Sequence, residues 1–256
     1  MIRHRIISID VTTGPYPVFI DEIIHLARER HSSYVCVANV HMCVEASLDR
    51  DFAQIVNNAD VITPDGMPLV KALKLLYGID QERVAGMDLF PDLLAAAERE
   101  GLSVFLYGST AEILHVISRR IAGEFPRLRI VGTHAPPFRH LTADEEHADA
   151  DRINDSGAHL VMVALGCPKQ EQWIARMRGK INAVMLGVGG AFPVYAGMQK
   201  RAPAWMQKLS LEWLYRLYQE PRRLWRRYLV TNTLFLVLLA KALLRTGKRT
   251  PVTLRK

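Results

Sequence analysis

Val104-Phe105-Leu106-Tyr107-Gly108-Ser109-Thr110 leads directly into a helical stretch over residues 111–125, and a second apolar run, Arg129-Ile130-Val131-Gly132, follows closely. The first four residues are apolar without alternation, as in a strand buried on both faces. Gly-Ser-Thr is a strand-to-helix turn, and the next strand comes soon after the helix. Such a strand–helix–strand unit joins parallel strands, because a parallel pair needs a long crossover connection.

The same pattern extends in both directions. Strand-like runs occupy residues 35–38, 61–63, 160–165 and 183–187, and helical stretches occupy residues 90–100, 144–154 and 170–177. The pattern predicts a Rossmann-like α/β fold, with a mostly parallel sheet covered by helices on both faces. Ligands of such sheets bind beyond the carboxyl ends of the strands, so the loops that follow the strands are the place to look for chemistry. The alternation ends near Gly197. Beyond it there is no strand signal, and Pro221 is the one helix breaker between Ala204 and Leu244. Two domains are expected: an α/β body over 1–197 and a helical appendage over 198–256, with helices near 203–218 and 221–245.

The 256 residues are long enough for a sizeable core, and 49% hydrophobic with 23% charged residues excludes a disordered chain. Three cysteines, Cys36, Cys43 and Cys167, without a C-x-x-C pair exclude a disulfide scaffold and argue against zinc. The apolar run at the amino end is too short for a signal peptide, which suggests the cytosol. The net charge of +7 is uneven: residues 201–256 hold 13 Lys and Arg against 2 acids, while the rest is mildly acidic. A basic tail suggests an anionic partner.

Four post-strand loops stand out. In Thr63-Pro64-Asp65-Gly66-Met67-Pro68, Asp65 is either a helix-capping aspartate or a carboxylate placed as a general base at the mouth of the sheet. Gly108-Ser109 exposes backbone N–H groups where a phosphate could sit, and is equally a good helix start. In Gly166-Cys167-Pro168-Lys169-Gln170-Glu171, Pro168 starts a helix, and Gln and Lys can hydrogen-bond a sugar or phosphate. Gly187-Val188-Gly189-Gly190 lets a backbone approach a ligand closely, but it is not a dinucleotide fingerprint. Two D-x-D pairs, Asp49/Asp51 and Asp149/Asp151, follow no apolar strand and read as solvated surface acids. With no histidine cluster either, no metal site is expected, and a diphosphate would be neutralised by Arg, Lys and helix N-termini.

Taken together, these blocks resemble the WecG/TagA/CpsF family of bacterial glycosyltransferases. The resemblance runs from about residue 35 to 228 and rests on several ordered motifs. They are Asn39, Pro64-Asp65-Gly66-Met67, Arg83-Val84-Ala85-Gly86-Met87-Asp88, Gly166–Trp173, Gly187–Phe192, Arg201-Ala202-Pro203-Ala204-Trp205, Leu211–Leu217 and Glu220-Pro221-Arg222-Arg223. It implies an inverting, metal-independent enzyme without a cofactor. Such an enzyme passes a sugar from a UDP-sugar to a sugar on polyprenyl diphosphate at the cytoplasmic face of the inner membrane.

By resemblance Asp65 is the base, and Asn39, Arg83 and Gln170 share its pocket. The donor's diphosphate is expected at Gly108, Ser109, Gly166, Pro168, Gly189 and Gly190, with Arg222 and Arg223 arriving from the appendage. An alternative for Arg83 is an ion pair with Asp80 or Asp88. Two positions depart from the family pattern: Val37 stands where the family usually has Thr, and Pro193 where it often has Asp. The Val-Ala-Asn-Val-His-Met form resembles the exopolysaccharide glucosyltransferase branch, with glucose or N-acetylmannosamine as the donor sugar.

Arg222, Arg223, Arg226 and Arg227 form a basic face beside Trp225, Tyr228 and an apolar run over 228–244. Seventeen helical residues reach about 25 Å, short of a hydrocarbon core of about 30 Å. An interfacial helix on an anionic membrane is therefore expected rather than a span, and nucleic acid is not. The competing readings of the tail are a core-packing helix or a homo-oligomer interface. The competing functions are another nucleotide-sugar enzyme, such as an epimerase or dehydrogenase, or a non-catalytic membrane scaffold.

Overall fold

The computed structural model describes residues 1–245, the side chain of Arg223 apart. The chain begins with strands β1 (Ile2–Ile6) and β2 (Ile9–Thr13), then α1 (Tyr16–Glu29), β3 (Ser33–Ala38), α2 (Val40–Leu48) and α3 (Arg50–Asn57). Next come β4 (Val61–Pro64), α4 (Met67–Tyr77), α5 (Gly86–Arg99), β5 (Ser103–Gly108), α6 (Ala111–Glu124), β6 (Arg129–His134) and α7 (Ala143–Asp155). The body closes with β7 (Leu160–Ala164), α8 (Lys169–Met177), β8 (Val184–Gly187) and α9 (Ala191–Tyr195). The appendage contributes α10 (Ala204–Lys208), α11 (Glu212–Gln219) and α12 (Pro221–Arg245).

Among the described residues, six strands form one parallel sheet in the order β4-β3-β8-β7-β5-β6. Strands β3, β5 and β7 are buried at every position, which is why they read as unbroken apolar runs. Their side chains alternate between two cores. Tyr34, Cys36, Phe105 and Tyr107 face one, with α2, α3, α7 and α8; Val35, Val37, Val104 and Leu106 face the other, with α1, α5, α6 and α9. The connections after β3 and β7 pass to the first face, and those after β8 and β5 to the second. Chain paths that part in this way open a crevice along the carboxyl edge of the sheet. The α/β expectation thus holds. The antiparallel β1–β2 hairpin, which periodicity did not reveal, packs into the first core through Ile6, Ile9 and Val11.

The appendage differs in two ways from its sequence reading. The helix expected over 203–218 is broken between α10 and α11, where Ser210 takes a left-handed backbone with φ 65°. And α12 lies across α2 and α4, sinking Phe235 and Leu239 into the first core. Truncating a buried side chain of that size costs about 2–5 kcal/mol. Helix α12 therefore shares the body's core. The D-x-D reading holds for Asp49, Asp51 and Asp151, which are exposed, and needs correction at Asp149. Asp49 caps α3 by accepting from the Asp51 and Phe52 N–H groups at 2.9 and 3.1 Å. Asp149 is buried, not solvated, and accepts from Tyr107 Oη at 2.6 Å and Arg152 at 2.9 Å, with His134 at 3.1 Å.

Candidate active site

At the carboxyl ends of β3 and β4 lies a cleft roofed by the appendage. Asn39, His41, Asp65, Met67 and Arg83 come from the body, and Gln207, Glu212, Trp213, Arg216, Arg227 and Tyr228 from α10–α12. Asn39 caps α2, its Oδ1 accepting from the Met42 N–H at 3.2 Å, with one edge left to the cleft. Asp65 does not cap the helix that follows it: the N-cap of α4 is Gly66. The backbone N–H of Asp65 donates to Ala38 and Thr63, which pins the residue at the strand end with its carboxyl on the cleft wall.

Burial pushes the Asp65 carboxyl up to about 7, and the Glu212 carboxylate adds to the rise; Arg216, Arg83 and the Gly86 N–H pull it partly back. At neutral pH the group can both accept and release a proton, as a general base requires. The neighbouring His41 is driven the other way, to about 4, by burial and by the Arg227 charge, so it is neutral.

Arg83 is engaged on every side. It donates to Glu212 at 2.9 Å, Gln207 at 2.6 Å and Asp88 at 3.3 Å. The Asp88 pairing anticipated from the sequence is present, whereas Asp80 pairs with Lys74. Arg201 holds Asp88 from the other side through two bonds, at 2.5 and 2.7 Å. Arg83 is thus the hub that docks the appendage on the body. The cation freer to meet a ligand is Arg216, which the sequence did not single out. Its side chain is 41% exposed, donates to Glu212 at 3.4 Å and stands 3.7 Å from the Cβ position of Gly190. Arg216 lies within the Leu211–Leu217 motif, but only the tertiary fold brings α11 to the β8 loop.

The remaining candidates are dispersed. Gly108 lies against β7, where a Cβ would come within 2.6 Å of Ala164 O, and the Ser109 N–H donates to that same carbonyl at 2.8 Å. Ser109 lines a second cleft, with Phe138, Lys169 and Trp173, over β5 and β7. Gly166 donates its N–H to Gln170 Oε1 at 3.2 Å, and Pro168 is the N-cap of α8. Gln170 is only 5% exposed and lies beneath Gly187 and Gly189 instead of lining the main cleft. The Gly189 N–H donates to Val163 O, while Gly190 faces Arg216. Arg222 is exposed outside the cleft, and the side chain of Arg223 lies outside the described residues. Val37 is buried under Gly86.

A family model described as "Glycosyl transferase WecG/TagA/CpsF family" matches residues 4–249. The chain belongs to this glycosyltransferase family. A Bacillus subtilis (strain 168) protein named N-acetylglucosaminyldiphosphoundecaprenol N-acetyl-beta-D-mannosaminyltransferase is 33% identical over 206 residues, 80% of this chain and 78% of that relative. A protein of the same name from Bacillus spizizenii (strain W23) is 35% identical over 202 residues, 78% of this chain and 76% of the relative. Both alignments cover most of either chain, so the WecG/TagA/CpsF assignment takes in the α/β body, and the enzyme is a glycosyltransferase. Among the described residues no cluster of three or more His, Cys, Asp or Glu stands ready for a metal ion.

Proposed function

We propose that the enzyme transfers N-acetylmannosamine, with inversion, from a UDP donor to N-acetylglucosamine carried on polyprenyl diphosphate, in the synthesis of a cell-surface polysaccharide. The names of the two Bacillus relatives favour this sugar and acceptor; glucose as donor and an exopolysaccharide as product are the alternative that a donor panel separates. The observation that carries the reading is Asp65: a carboxyl held near pH 7 on the wall of a cleft shared by Asn39, Arg83 and Arg216.

The chemistry follows from this arrangement. Asp65 takes the proton from the acceptor hydroxyl, whose oxygen bonds to the anomeric carbon as the bond to UDP breaks on the opposite face. The departing diphosphate gains negative charge, which Arg216 beside Gly190 is placed to meet without a metal. Gln170 acts from below, through the glycine loops it supports.

The appendage fits peripheral docking at the cytoplasmic face of an anionic membrane. Leu224–Arg245 is long and apolar enough to cross a membrane by length and composition, yet one side of it is packed on the body through Leu224, Thr231, Phe235 and Leu239. A helix committed in this way presents its other side, and that side is apolar: Trp225, Leu229, Val230, Leu236 and Val237 are exposed, with Trp205, Leu209, Leu214 and Tyr218 nearby in sequence. Exposed Arg222 and Arg226 add basic charge at the same end.

The test is incubation of the enzyme with a panel of UDP-sugars and a synthetic polyprenyl-diphosphate N-acetylglucosamine. Transfer from UDP-N-acetylmannosamine is expected. Transfer from UDP-glucose alone would replace the proposed sugar, and failure with every donor would overturn the acceptor assignment.

A further inference from the structure

The first turn of helix α8 holds Gln170 and Glu171, 5% and 0% exposed. Glutamate is rarely buried without a counter-ion. Here Glu171 Oε1 accepts from Gln170 Nε2 at 2.7 Å, Oε2 has no hydrogen-bond partner, and no ion pair reaches the group among the described residues. The titratable groups that face it are the thiols of Cys36 on β3 and of Cys167, both pushed up by burial and uncharged; the Cys167 thiol also hydrogen-bonds the carboxyl, and Arg227 of α12 acts on Cys167. An unpaired buried carboxylate would cost several kcal/mol, so the acid is favoured in its neutral form, and burial moves it up to about 7.

An apolar residue would fill this space at lower cost, so the hydrogen bond to Gln170 is what the carboxyl supplies. A carboxamide can face either way, and its partners decide which end is which. The acceptor on Glu171 fixes Nε2 on its own side. Oε1 is then left to accept from the Gly166 N–H at 3.2 Å. The amide thereby braces two loops at once: a Cβ on Gly187 would lie 2.8 Å from Nε2, and one on Gly189 3.2 Å from Oε1. If the amide reversed, it would set an N–H against the Gly166 N–H and lose the bond that ties it to the loop after β7.

We propose that Glu171 is a positioning residue of the donor site, locking the Gln170 carboxamide between Gly166 and the Gly187–Gly190 loop and so holding the backbone on which the leaving diphosphate rests. This builds on the donor reading above, since a loop that met no diphosphate would need no such brace. Glu171 touches no substrate itself. It acts through Gln170.

Two variants test it. Glu171→Gln keeps an acceptor for Gln170 and cannot ionise; Glu171→Leu keeps the volume and removes the acceptor. At pH 6, Glu171→Gln should hold the donor KM within about twofold of wild type, and Glu171→Leu should raise it about tenfold or more, with the acceptor KM unchanged. Its melting temperature should be unchanged or higher, because a leucine replaces an unsatisfied acid. If the leucine variant fails to fold, Glu171→Gln against wild type still tests the proposal, because the retained acceptor should keep the donor KM within about twofold. A wild-type donor KM in Glu171→Leu, or a Glu171→Gln enzyme as impaired as Glu171→Leu, would each overturn the proposal. Calorimetric titration with UDP separates the two levels. A wild-type enzyme that does not bind UDP would overturn the donor reading and this inference with it. Intact UDP binding with indifferent variants would overturn this inference alone.

Discussion

Replacing Asp65 by asparagine should remove most of the activity and make the protein more stable at pH 8. The carboxyl titrates near 7 in the folded protein and near its ordinary 3.8 when unfolded. Between these values the folded state holds a proton that the unfolded state has released, so stability falls as pH rises through this window. The full difference corresponds to about 4 kcal/mol. Asp65 borders an open cleft that water enters, so about half of that, about 2 kcal/mol, is the expected gain for the variant. For a chain of this length it amounts to about 4–8 °C in melting temperature. The gain should be complete by pH 8 and small by pH 4, near the unfolded carboxyl's own 3.8. Turnover should fall by about a hundredfold or more, as loss of a general base causes. In the wild type, kcat/KM should drop about tenfold per pH unit below 6, with about 1% of Asp65 ionised at pH 5. Thermal melts at pH 4 and 8, with initial rates on the lipid-linked acceptor, measure both effects. A variant that melts lower than wild type at pH 8 would mean that the carboxylate is stabilised by Arg83 and Arg216 and is a poor base. Near-wild-type turnover would remove Asp65 from the reaction.

Arg83→Ala should uncouple the appendage, since Glu212, Gln207 and Asp88 lose their shared partner; faster proteolysis between residues 197 and 212 is expected, and an unchanged cleavage rate would refute the docking role. Activity should survive EDTA, and loss that magnesium or manganese restores would contradict a site neutralised by arginine. Replacing Arg222 and Arg226 by alanine should weaken binding to anionic vesicles by about 2 kcal/mol, at about 1 kcal/mol for each. That loss should shrink as salt is raised; binding unchanged at low salt would assign attachment to the apolar side of α12 alone.

The linear chain was enough to set the class of fold. Unbroken apolar runs such as Val104–Tyr107, bounded by turn residues and alternating with helical stretches, fit strands buried on both faces and joined by parallel crossovers. It also carried the family, because Pro64-Asp65-Gly66-Met67 and the glycine loops are contiguous and mark themselves. What it could not carry depends on distance through space. The basicity of Asp65 comes from burial and from Glu212, which reaches the cleft only when α11 folds back over it. The same folding spends Arg83 on docking and brings Arg216, an ordinary surface arginine on its own helix, to Gly190. Gln170 reads as a ligand-binding side chain until the β8 loop closes over it and turns it into a brace. The two apolar sides of α12 look alike in sequence, and only packing against α2 and α4 decides which is core and which is left outward. Periodicity reports local conformation, whereas field, burial and partner choice are settled by residues far apart in the chain.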